Sequence, residues 1–208
     1  MLAGLRVLGR GLNSVRWNGY AYIWANLAFL ALSLPIITLP AAFSALFRIG
    51  HDTFTEPSEA DLTLFWETFR ANLRRATLWG LANLAFAVVN FSNLMAYQDR
   101  HDLSIQVLRI VWVATTYLWC GVLLYTWPIF YEMETPSIWL ATRNAVVMTL
   151  LNPIFTLVVL LGILLLSVIS TVLVALWMVL TFGIISAVGN AAVLDRLATY
   201  RKTKESQL

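Results

Sequence analysis

Charge is what this sequence has least of. Only 12% of its 208 residues are Asp, Glu, Lys or Arg, and none of these lies between Ala145 and Leu194. A soluble domain carries about 25%, so a water-facing surface cannot be built over most of this chain. Thiols are nearly absent too. Cys120 stands alone inside an apolar run, which excludes an intrachain disulfide framework and a thiolate metal site. The two histidines, His51 and His101, are each followed by aspartate and each read as loop residues. A metal centre needs three or four converging ligands, and the HD pairs of metal hydrolases come with further His and Asp residues that are missing here. No GxSxG, HExxH or phosphate-cradling glycine loop occurs. Without a short apolar core and a small-residue cleavage site before Tyr20, the N-terminus reads as a surface-lying helix and not a cleaved signal. Neither catalytic residues nor a cofactor or metal site is therefore expected.

Apolar length is what the chain has in abundance. Hydrophobic residues make up 60% and mean hydropathy is +0.75, while the few charges cluster between apolar tracts. That punctuation belongs to an all-α polytopic membrane protein, and the short alternating strands of a membrane barrel are not visible. A crossing needs about 20 apolar residues. The pattern predicts one membrane domain over 1–208 with five spans, at 20–47, 77–97, 105–128, 153–170 and 173–194. Residues 1–19 form an amphipathic segment, and interfacial helices cover 58–76 and 136–150. Ser58 and Asp61 read as a capping box for the first of these helices, Thr135 and Pro136 as the cap and first turn of the second, and Ser167 to Thr171 as the turn between the last two spans.

Several residues stand out against this frame. Pro35 and Pro40 interrupt the first span, where lipid cannot re-satisfy the freed backbone groups, so Ser33 or Thr38 or a neighbouring span must do so. Trp66, Phe69, Asn72 and Arg70 belong to a helix apolar on one face and basic on the other, suited to lie along the membrane surface against anionic headgroups. Trp66 and Arg70 recur as Trp139 and Arg143, a faint internal repeat. Asn90 and Asn93 sit late in the second span as interhelical hydrogen-bonding groups, and Gly183, Ala187 and Ala191 form a small-residue ridge suited to close helix contact, with a homo-oligomer as one use of it.

The basic residues report topology rather than nucleic-acid binding. With five spans the termini fall on opposite sides, and the loops sharing the C-terminal side hold nine Lys and Arg against five. That places the C-terminus in the cytoplasm and the N-terminus outside, with Arg6, Arg10 and Arg16 pulling the other way. No ionisable group falls within the apolar stretches of spans two to five, which disfavours a proton relay or an ion-coupled pump. The loop that couples an ABC permease to its ATPase is not matched either.

The stretches NLAFLALSLPIITLPAAFSALFRI and FWETFRANLRRATLWGL resemble the YesL-like family of small bacterial integral membrane proteins, a domain of unknown function. Phe65, Phe69, Asn72, Ala76 and Thr77 stand where the family pattern carries the same residue types, as do Tyr125 and Pro128 at the end of the third span. Pro40 departs from the glycine often found nearby. The resemblance implies a plasma-membrane protein accessory to a carbohydrate ABC importer, and it carries over no catalytic residue. Two other readings stand beside it. One is a channel lined by Asn90, Asn93 and Asn190. The other is a membrane-embedded enzyme using His51, His101, Glu132 and Glu134.

Overall fold

The two prolines set the path of the first apolar tract. The computed structural model describes residues 2–100, 102–173 and 177–206. In it helix α2 (Gly19–Ser33) stops short of Pro35, a 3-10 turn covers Ile36–Thr38, and helix α3 (Leu39–Thr55) carries Pro40 in its first turn. The carbonyls freed at the break are taken up locally. The Thr38 hydroxyl donates to the Leu32 and Pro35 carbonyls, and the Ser33 hydroxyl donates to Phe29.

α3 does not continue in the direction of α2. It folds back along it: the Tyr22 and Thr53 hydroxyls are 2.6 Å apart, and the Phe29 and Phe43 rings are 6.4 Å apart. Contacts that close in sequence toward Pro35 define an antiparallel hairpin. Arms of 15 and 17 residues are about 22 to 26 Å long, short of the roughly 30 Å of hydrocarbon. The predicted crossing at 20–47 is therefore corrected to a helical hairpin whose two ends lie together.

Among the described residues, four helices are long and apolar enough to cross a membrane: Leu62–Ala96, Leu103–Tyr131, Pro153–Val172 and Met178–Glu205. The first of these, α4 (Leu62–Ala96), is unbroken. The surface helix expected at 58–76 is thus the first part of the same rod as the second span. Its cap is Asp61, whose carboxylate accepts the Leu64 N–H at 2.8 Å, and not Ser58. α5 (Leu103–Tyr131) runs through Pro128, whose missing N–H falls near the helix end. α6 (Ile138–Leu151) begins after Ser137, so the start assigned to Thr135 and Pro136 is two residues early. α7 (Pro153–Val172) continues through the turn expected at Ser167 to Thr171. A π-helical stretch, Trp177–Thr181, leads into α8 (Phe182–Glu205). The predicted fifth span begins at 173, and its residues 174–176 lie outside the described residues.

The core forms where α3 meets α8. Ala41, Ala42, Ala45, Leu46 and Phe47 of α3 and Ala187, Val188, Ala191 and Ala192 of α8 are fully buried. Small side chains let the two backbones approach closely enough for side-chain to backbone bonds. Ser186 donates to the Leu46 carbonyl at 2.9 Å and Asn190 to that of Phe47 at 3.1 Å. Gly50 is required at this crossing, since a Cβ there would sit 2.1 Å from the Ser186 hydroxyl. α1 (Leu2–Trp17) docks on α7 and α8 through Gly4, Val7 and Gly11, so it packs into the bundle instead of only lying on a surface. α4 and α5 pair through large groups, with Trp79 against Trp127 and Phe86 against Trp119.

Candidate functional site

The ionisable groups that sequence spacing left apart come together where α3 and α5 end. His51 was expected in a loop; it lies in α3 and is buried. Its Nδ1 is 2.7 Å from the Asp52 carboxylate and its Nε2 is 2.9 Å from Glu132. Asp52 also accepts from Arg48 Nε at 3.0 Å, and Arg201 approaches Glu132 at 3.9 Å. This cluster stands at the charged end, outside the segments read as crossing the membrane. Burial opposes a proton on His51, yet the hydrogen bonds to Asp52 and Glu132 outweigh it and raise the imidazole above its ordinary value. The same bond from His51 lowers Glu132, against the opposing effect of burial.

A histidine held on one side by Asp52 of its own helix and on the other by Glu132 is a fastener between α3 and the end of α5. Its two nitrogens point in opposite directions, so the carboxylates they hold do not converge on a common point. No group of three His, Cys, Asp or Glu side chains arranged for a metal ion occurs among the described residues. His101, proposed as a second reactive group, lies outside the described residues, and Glu134 has no part in the His51 cluster.

A second polar network adjoins the first. The Tyr131 hydroxyl accepts from Asn72 at 3.0 Å and donates to the Ser44 carbonyl at 2.9 Å, which joins α4, α5 and α3. Arg48 stacks over the Tyr131 ring and Arg75 over that of Phe130. Of the residues singled out in the sequence, Asn72 and Phe69 belong here, both buried on α4. Trp66 stacks on Phe69 at 5.4 Å and carries Arg70 over its ring at 4.5 Å, on the outer face.

The remaining residues serve other contacts. Pro35 is exposed at the hairpin tip, whereas Pro40 presses on Gly80, where a Cβ would stand 2.2 Å from the proline ring. Asn90 donates to the Thr116 hydroxyl between α4 and α5, and Asn93 is half-buried near the end of α4. Gly183 packs against Tyr22, and Ala187 is wholly buried within the chain. The small-residue ridge is therefore spent on internal packing and is not offered to a partner protein or to a second copy. Nothing in the spacing of His51 and Glu132, 81 residues apart, announced their meeting. The one available signal was that both stand beside the ends of apolar tracts on the same predicted side.

Residues 22–94, from within α2 to nearly the end of α4, match the model of a family described as a protein of unknown function, DUF624. The matched part thus covers the hairpin and the long helix packed on it. No curated protein and no solved structure matches the chain.

Proposed function

We propose that this is a multi-pass plasma-membrane protein with both termini and its charged end in the cytoplasm, acting as a non-enzymatic accessory subunit that docks on the spans of a solute importer. The observation that carries the reading is the outer half of the α4 and α5 pair. There Val88, Val89 and Phe91 on one helix and Ile110 and Val111 on the other are exposed, Phe91 at 63% and Ile110 at 70%. Those surfaces meet either lipid or the helices of a neighbour, and the resemblance noted in the sequence supplies the class of neighbour, a carbohydrate ABC permease.

The hairpin supports this orientation. Bringing Gly19 and Thr55 to one end moves Arg6, Arg10 and Arg16 to the side of the other basic clusters. Twelve of the 14 Lys and Arg then share one side, and only Arg100 and Arg109 face the other, a strong positive-inside bias. The channel reading is less well supported. The amide nitrogens of Asn90 and Asn190 donate at different interfaces, α4 with α5 and α8 with α3, so the two do not border one path.

A photo-crosslinking side chain placed at Val88 or Ile110, in membranes that also contain a carbohydrate permease, tests the docking. An adduct of permease mass from both positions is expected. Adducts with lipid alone would remove the accessory reading. The purified protein alone in liposomes is expected to give no sugar flux, and solute entry above the empty-liposome rate would restore the channel.

A further inference from the structure

Arg75 borders two cavities at once, and their linings differ in a way that selects one kind of occupant. The smaller cavity, about 240 Å³, lies between α3, α4 and α5 and is bordered by Arg48, Arg75, Thr68, Asn72 and Tyr131. Two guanidiniums line it and no carboxylate does. Arg48 spends its Nε on Asp52, which leaves its terminal N–H groups for another acceptor, since a guanidinium carries five donors. Among the described residues Arg75 makes no ion pair and rests only on the Phe130 ring. Two arginines on consecutive aromatic rings make a fork suited to a phosphate.

The larger cavity, about 510 Å³, runs from Arg75 along α4, α5 and α6 past Trp79, Phe86, Trp119 and Trp139. Beyond Arg75 and the exposed Trp139, its polar side chains are paired with one another or with the backbone. Trp79 Nε1 donates to Thr142 at 3.1 Å, Trp119 Nε1 to Asn83 at 3.0 Å, and Asn83 returns a bond to the Trp79 carbonyl. A sugar entering this groove would find its hydroxyls unmatched and lose their water. A hydrocarbon chain needs no partners there.

We infer that the chain binds an anionic phospholipid, with its phosphate between Arg48 and Arg75 and an acyl chain along the Trp79, Trp119 and Trp139 groove. This site does not depend on the accessory reading, since it needs only a bilayer. The charged end supplies the headgroup position, and the groove begins where α4 turns apolar, so head and tail fall at the depths a leaflet gives them.

The test uses the full chain in nanodiscs of equal phosphatidylglycerol and phosphatidylcholine, with retained lipid counted by native mass spectrometry. The wild type is expected to retain phosphatidylglycerol about 10-fold over phosphatidylcholine, the size of one charge-assisted contact. Arg75→Gln abolishes that preference. Arg74→Gln, which removes the same charge from a residue bordering neither cavity, keeps it. Trp139→Ala, at an exposed groove wall, lowers retention of both lipids without removing the preference. An equal loss in Arg74→Gln and Arg75→Gln would reduce the effect to diffuse surface charge and overturn the site. Excess inorganic phosphate displacing all retained lipid would make it a free-phosphate site and overturn the lipid assignment.

Discussion

At the scale of single residues, this protein depends on where a methyl group or a proton can be tolerated. Gly80 faces the rigid Pro40 ring, and a Cβ would come within 2.2 Å of it. A proline ring cannot swing aside as a flexible side chain can. Gly80→Ala is therefore expected to cost about 1 to 3 kcal/mol by overpacking, seen as a lower Tm in detergent. His51 sets a pH dependence. Its pKa in the folded protein is raised above the ordinary 6.5, so its contribution is complete below that value and is lost as pH rises through the folded pKa. Glu132 is lowered from 4.5, so its share holds above that value and fades only as pH falls through its own depressed pKa. Tm is expected to fall as pH rises from about 5.5 to about 9, and His51→Gln is expected to flatten that slope. A wild-type Tm that does not change over this range would contradict the fastener. The sequence displayed the histidine and both carboxylates but not their meeting, because pairing over 81 residues is settled by how whole helices dock.

At the scale of elements, hydropathy reports the length of an apolar tract but not its direction. The tract around Pro35 satisfied a count of apolar residues while its two arms were each too short to cross, and the pair of prolines marked the reversal. The same limit hid the unity of α4. Charges at Glu67, Arg70, Arg74 and Arg75 suggested a separate surface helix, yet no Gly or Pro follows them to turn the chain before Gly80, and the helix continues. Asn26 ties the α2 arm of the hairpin to the last helix. Fully buried, it donates to the Met178 carbonyl and accepts the Gly183 N–H at 3.1 Å, serving the backbone where π-helix gives way to α8. Asn26→Leu leaves both groups without a partner, at about 1 to 3 kcal/mol each. Faster hydrogen exchange at the Gly183 amide is the expected local sign, and unchanged exchange there would show that the bond is not holding α8.

At the scale of the whole molecule, helix content, membrane character and charge punctuation were legible because each is a sum over many residues, and sums survive local errors. Topology was not, because it turned on one reversal. Counting the hairpin as a crossing puts Arg6, Arg10 and Arg16 opposite the larger group of basic residues and leaves a weak division of basic charge. Counting it as a fold-back assembles His51, Asp52, Glu132 and Arg201 at one end and gathers nearly all basic residues there. The most direct test of that arrangement is labelling of single cysteines by a membrane-impermeant maleimide in a Cys120→Ser background, with Asn13→Cys, Glu56→Cys and Asp99→Cys compared in sealed vesicles. Positions 13 and 56 are expected to react from the same face and position 99 from the opposite one. Labelling of 13 and 56 from opposite faces would mean that the apolar tract between them crosses the membrane, and would contradict the fold-back.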